Sequence, residues 1–102
     1  MPSSKNYLDF ILEQLTDLSE ITFKSMMGEY LIYYHGKLVG GIYDDRLLVK
    51  PVKSAVDYIS QPTYALPYDG AKEMLLVDNV DDKEYLAGLF DALYDDLPML
   101  KN

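Results

Sequence analysis

Apolar residues recur at helical spacing near both ends of this chain, and between those ends the period is largely that of strands. Leu8, Ile11, Leu12, Leu15 and Leu18 fall three and four residues apart, with Asp9, Glu13 and Asp17 on another face. This predicts an amphipathic helix over residues 4–18, capped by Ser3 or Ser4. Leu86, Leu89, Phe90, Leu93 and Leu97 line one face of a last helix, which Asp81 or Asp82 caps and Pro98 ends. The middle is rich in β-formers. Residues 21–25, 29–34, 37–43 and 46–50 read as four consecutive strands. Met26-Met27-Gly28 breaks the first from the second, and His35-Gly36 marks a tight hairpin turn. Asp44-Asp45 makes the next turn. Gly40-Gly41 inside the third strand signals a bulge or the close approach of a neighbouring backbone. A short helix over residues 53–60 follows. Residues 61–70, with Pro62 and Pro67, read as a loop. Residues 72–77 form a fifth strand whose apolar run suits a buried position.

The order is α-β-β-β-β-α-β-α. Consecutive strands flanked by helices predict a two-layer α+β domain, an antiparallel sheet of about five strands with helices packed on one side. With 102 residues, no repeat and no linker, the chain reads as one domain over residues 1–102. That length lets roughly two thirds of the unfolded surface be buried without staples.

Several chemistries fall away. The chain has no cysteine and a single histidine, His35, which excludes disulfides, thiol catalysis and a multi-histidine metal site. Glycine-rich phosphate loops, dinucleotide fingerprints and hydrolase elbows are absent from the sequence. Tyr33-x-x-x-Lys37 matches a short dehydrogenase pattern, but its spacing works on a helix and here it straddles a turn. The oxygen-rich stretch Asp78-Asn79-Val80-Asp81-Asp82 fails the pattern of a calcium loop, and helix capping explains it more simply. Every other acid falls in a turn, a cap or a polar helix face; Glu29, at a strand start, reads as solvent-facing. No catalytic, cofactor-binding or metal-binding residue is therefore assigned.

The formal net charge is −8. Most of it is concentrated in Asp78, Asp81, Asp82, Glu84, Asp91, Asp95 and Asp96, against Lys83 alone. Such a chain repels phosphate backbones and anionic membranes at long range, so direct nucleic-acid and membrane partners are not expected. The acidic helix is either a solvated face or a docking face for a basic protein. Asp95 and Asp96 stand out because acids at a helix C-terminus oppose its dipole. No basic segment followed by an apolar stretch opens the chain, and the expected location is the cytoplasm.

Ten tyrosines and no tryptophan make an unusual balance. Tyr30, Tyr33, Tyr34 and Tyr43 fall on adjacent strands, and Tyr64 and Tyr68 on the loop. Core packing, base stacking and a tyrosine-rich protein interface all use such residues. Stacking on single strands also needs basic residues along the path, and only Lys37, Arg46 and Lys50 lie near.

The segment from Lys24 to Tyr30 (Lys-Ser-Met-Met-Gly-Glu-Tyr), then Tyr34-His35-Gly36-Lys37, Gly40-Gly41-Ile42-Tyr43-Asp44-Asp45 and Leu47-Leu48-Val49-Lys50-Pro51, resembles the N-terminal domain of the TfoX/Sxy family. These are bacterial regulators of competence for DNA uptake, and the domain also occurs alone. The resemblance runs from the first helix to Pro98. It implies a two-layer α+β fold akin to secretion chaperones, with Met27, Gly28, Gly40, Gly41 and Lys50 as fold-defining positions. Where the family commonly has an aromatic residue and a second glycine, this chain has Met27 and Glu29. Longer members append a helical domain after the last helix, so a complete regulator's activity is not implied.

The expected function is a non-catalytic protein-interaction module resembling the N-terminal domain of competence and transcription regulators. Its expected surfaces are the sheet, with Tyr30, Tyr33, Tyr34 and Tyr43, and the acidic helix, with Asp91 and Asp95. A protein partner or a homodimer would cover them. The alternative is a small-ligand-binding or enzymatic domain with a pocket near the loop over residues 63–70, lined by tyrosines and one convergent charge.

Overall fold

The computed structural model describes residues 4–98. Ser3, one of the two candidate caps, lies outside the described residues. The first helix, α1 (Lys5–Gln14), starts at Ser4, whose hydroxyl accepts the Tyr7 N–H at 3.1 Å. Helical pairing stops at Gln14, short of the predicted residue 18. Leu15 and Leu18 continue the apolar stripe from within turns: the Leu18 N–H bonds the Leu15 carbonyl at 3.0 Å, and both side chains pack on the core. Position in space outlasts regular hydrogen bonding there.

Four strands follow as a meander: β1 (Ile21–Met26), β2 (Glu29–Tyr34), β3 (Lys37–Ile42) and β4 (Leu47–Val49). Each connection is a two-residue turn with both central residues at positive φ: Met27 and Gly28 at 52° and 85°, His35 and Gly36 at 50° and 79°, Asp44 and Asp45 at 54° each. This turn hand matches the right-handed twist of the flanking strands. Met27 is 96 % exposed, so its side chain gains nothing that offsets its left-handed backbone. Asparagine tolerates that geometry far better and forms the favoured Asn-Gly turn. Met27→Asn is therefore expected to raise stability by about 0.5–1 kcal/mol, read as a Tm increase of several degrees.

The Gly40-Gly41 pair meets both expectations. Ile32 pairs with Gly40 but Tyr33 pairs with Leu38, which leaves Val39 as the extra residue of a bulge. The Val39 carbonyl accepts the Lys50 N–H at 2.9 Å, so the main chain of Lys50 closes the bulge. A Cβ on Gly40 would overlap the Leu48 carbonyl oxygen and sit 2.7 Å from the Val49 Cα.

The chain then forms α2 (Lys53–Tyr58), β5 (Tyr64–Ala65), β6 (Met74–Val77) and α3 (Lys83–Tyr94). Asp82 caps α3 by accepting the Tyr85 N–H at 3.1 Å. The strands make one antiparallel sheet in the order β1-β2-β3-β4-β6-β5. It has six strands rather than about five. The added strand is β5, inside a stretch that reads as loop because Pro62 and Pro67 flank it. An edge position tolerates both prolines, since only one side of the strand must supply ladder bonds.

The helices share one side of the sheet. Leu8 and Ile11 of α1, Ala55 of α2, and Leu86, Leu89, Phe90 and Leu93 of α3 form a single buried cluster with Ile32, Ile42, Leu47, Val49, Leu75 and Val77. Gly88 brings α2 and α3 together, because a Cβ there would collide with the Tyr58 hydroxyl, which donates to the Tyr85 carbonyl at 3.1 Å. Asp96 opposes the α3 dipole but serves the neighbouring helix: its carboxylate accepts the Ser54 N–H in the first turn of α2 at 3.0 Å, where Val52 offers no side-chain cap. The Ser54 hydroxyl, then the Ser54 N–H, hold the Asp96 carboxyl below its usual range. Of the two, the N–H makes the well-formed bond; the buried hydroxyl has no partner of good geometry.

Candidate functional site

Strand alternation places Leu31, Tyr33, Leu38, Leu48 and Leu76 on the sheet face that carries no helix. Leu48 is fully buried there yet stands outside the main core cluster. Tyr43 belongs to this face too: a Cβ on Gly41 would meet its ring at 2.9 Å.

One end of this face opens into a cleft of about 700 Å³. Its floor is Tyr43. One wall is the first hairpin turn, with Met26, Met27 and Glu29; the other is the segment Leu66-Pro67-Tyr68-Asp69. Arg46 ties the floor to the second wall, donating from Nε to the Tyr43 carbonyl at 3.1 Å and from Nη2 to the Leu66 carbonyl at 2.9 Å. Tyr68 meets Tyr43 edge to face at 6.3 Å between ring centroids. The Glu29 carboxylate accepts the Asp44 N–H at 2.8 Å, so this residue clamps the third hairpin rather than simply facing solvent. Burial, then Tyr68, Glu29 and Tyr33, push the Tyr43 hydroxyl pKa upward. Glu29, Asp44 and Asp69 outnumber Arg46 around the cleft, which gives it a negative rim.

Six large apolar side chains are exposed among the described residues, and four of them (Met26, Met27, Leu66 and Tyr68) line this cleft. The pocket expected near residues 63–70, with tyrosines and one convergent charge such as Lys50 or Lys72, corresponds to this cleft at Leu66–Asp69, and the charge there is Arg46. Arg46 stands out in the sequence only as one of three basic residues near the tyrosines, and its reach across to Leu66 spans twenty positions.

The tyrosines expected on an open sheet surface separate. Tyr34 and Tyr43 are 7 % and 8 % exposed, so neither offers a free contact surface. Both are covered: Tyr34, on β2, by α3, and Tyr43, just past the end of β3, by Tyr68. Tyr30 packs against the core side and contacts Phe23 edge to face at 6.1 Å. Tyr33 remains half-buried on the helix-free face. The Tyr34 hydroxyl donates to Asp91 at 2.6 Å, which joins the β2–β3 hairpin to α3. Beside them Lys37 donates to the Tyr94 carbonyl at 3.1 Å and lies 4.0 Å from that ring's centroid. Asp91 is thus committed to Tyr34, and Asp95 is the exposed C-cap of α3. The hydrogen bond to Asp91, then burial, push the Tyr34 hydroxyl up to about 12.

Met27 and Gly28 are the first turn, Gly40 and Gly41 the close approach, and Lys50 the bond that closes the bulge. No group of three or more potential metal ligands gathers among the described residues. No described helix is long and apolar enough to cross a membrane.

The family model of the TfoX N-terminal domain matches residues 13–96, from the end of α1 through α3. The chain belongs to that family. Among curated proteins it is 31 % identical over 80 residues to the uncharacterized 12.7 kDa protein in the trpE 5′ region of Spirochaeta aurantia, covering 78 % of this chain and 70 % of that one. No solved structure matches the chain. The matched span includes Met27, Gly28, Gly40, Gly41 and Lys50.

Proposed function

We propose that this TfoX N-terminal domain is a non-catalytic interaction module of a bacterial regulator type, acting in the cytoplasm without a cofactor and without touching nucleic acid. The observation that carries this reading is the gathering of Met26, Met27, Leu66 and Tyr68, all exposed, around one cleft. Exposed apolar groups that cluster, rather than scatter, mark contact surfaces. Methionine adapts to varied partners. The negative rim and the net charge of −8 favour a protein segment that offers an apolar anchor flanked by lysine or arginine, and disfavour a phosphate backbone.

The test uses the tagged full chain as bait in host lysate, with and without nuclease. The wild type is expected to capture the same protein in both samples. Met27→Asn combined with Tyr68→Ser is expected to lose it while keeping a cooperative thermal transition. Capture that survives the double substitution would move the surface away from the cleft, and capture lost with nuclease would reverse the exclusion of nucleic acid.

A second reading has one observation of its own. About 700 Å³ is within the range of small-molecule pockets, and two tyrosines with Arg46 converge there. A metabolite that raises the wild-type Tm, and not that of the double variant, in the absence of any captured protein would establish it.

A further inference from the structure

The two edges of the sheet are unlike. β5 has two residues and is flanked by Pro62 and Pro67, a blunted edge. β1 has six residues, no proline and one charge, Lys24, and its last five residues are exposed. Phe23, at its centre, is 44 % exposed.

The ladder fixes which main-chain groups of β1 are left over. Met26 and Glu29 flank a two-residue turn, and the His35 N–H bonds the Glu20 carbonyl at 3.0 Å at the far end. Ile21 opposite Tyr34 is therefore a non-hydrogen-bonded pair, as are Phe23 opposite Ile32 and Ser25 opposite Tyr30. The N–H and C=O groups of Ile21, Phe23 and Ser25 consequently point outward, away from β2.

We infer that β1 is a homodimer seam, at which a second copy adds its own β1 antiparallel, with Phe23 facing Phe23 on the two-fold axis. In that register Ile21 faces the second copy's Ser25, and every outward N–H of the three residues meets an outward carbonyl. Thr22 then faces the second copy's Lys24, so no two like charges stand directly opposite. Centring on Lys24 instead sets two like charges directly opposite. Centring on Thr22 leaves Ser25 facing Ser19, outside the strand. The edge is thus self-complementary in one register, which is the signature of an isologous interface. The two sheets join into one continuous sheet with all helices on the same side. The residues whose outward groups pair across the seam, Ile21, Phe23 and Ser25, do not line the cleft, so its failure and the failure of the interaction reading are separable.

The chain has no native cysteine, which makes the register testable directly. Opposed residues in a hydrogen-bonded antiparallel pair have Cα atoms about 5.5 Å apart, within disulfide reach. Phe23→Cys is expected to give a covalent dimer under mild oxidation, and Lys24→Cys is not. Light scattering of the wild type is expected to give twice the 11.7 kDa chain mass. Ser25→Pro is expected to halve it without losing the thermal transition, because the Ser25 N–H serves no bond within one copy. A monomeric wild type overturns the inference, as does a cross-link at Lys24→Cys with none at Phe23→Cys. A Ser25→Pro variant that folds and remains dimeric also overturns it.

Discussion

Replacing Gly40 with alanine is expected to cost about 3 kcal/mol or more and to leave little folded protein. The added Cβ would overlap the Leu48 carbonyl oxygen and lie 2.7 Å from the Val49 Cα. Both are backbone atoms, so no rotamer change relieves the clash, and β3 must part from β4. β4 has three residues, all buried, and holds β6 on its other side. Displacing it disturbs the whole centre of the sheet. A domain of this kind has a total stability of about 5–15 kcal/mol, so such a loss is a large share. Gly36→Ala is the control: nothing lies within 4 Å of its added Cβ, and its cost is the positive φ of 79° alone, about 1–2 kcal/mol. Urea midpoints of both variants decide the matter. A Gly40→Ala midpoint equal to that of Gly36→Ala would show that the two strands have slack.

The second large effect is at alkaline pH. Tyr34 is pushed up to about 12 from 10.0 by its bond to Asp91, by burial and by the Asp91 charge. Below pH 10 the hydroxyl is protonated in folded and unfolded chains alike, and its contribution is fully present. Between about 10 and about 12 the unfolded chain ionises first, so stability falls as pH rises through that window. The loss is on the order of 2 kcal/mol, because water around the exposed Asp91 carboxylate screens part of the interaction. Burial also raises Tyr7, Tyr43 and Tyr85, and these add in the same direction. Tyr34→Phe is expected to cost about 1 kcal/mol at neutral pH, since the exposed Asp91 carboxylate can rehydrate, and to flatten the alkaline decline. An alkaline decline of equal depth in wild type and Tyr34→Phe would remove Tyr34 as its source.

These two residues mark where reading the sequence succeeds and stops. The Gly40-Gly41 pair announces a close approach within a strand, because strands avoid glycine unless a backbone or a bulge demands it. The helices and the four-strand meander follow from periods of 3.6 and 2, which are local properties. Tyr34 and Asp91 are fifty-seven positions apart, and nothing in either neighbourhood names the other. Asp96 is intermediate: its clash with the α3 dipole was visible, while its bond to Ser54 depends on how α2 docks. β5 was hidden for a third reason. Two prolines around two residues look like loop, and only the presence of β6 beside them turns them into a strand.

The cleft is built almost entirely from connections: the turn at Met27, the turn at Asp44 and the segment from Leu66 to Asp69. The core lies on the opposite side of the sheet and draws on helices and strand interiors. Substitutions that alter what the cleft accepts therefore need not pass through the residues that keep the chain folded. The two-residue turns leave no room for insertion, whereas the stretch between β5 and β6 can lengthen or shorten. A lineage carrying this domain can reshape the cleft by editing that single segment, with the glycine-dependent sheet inherited intact.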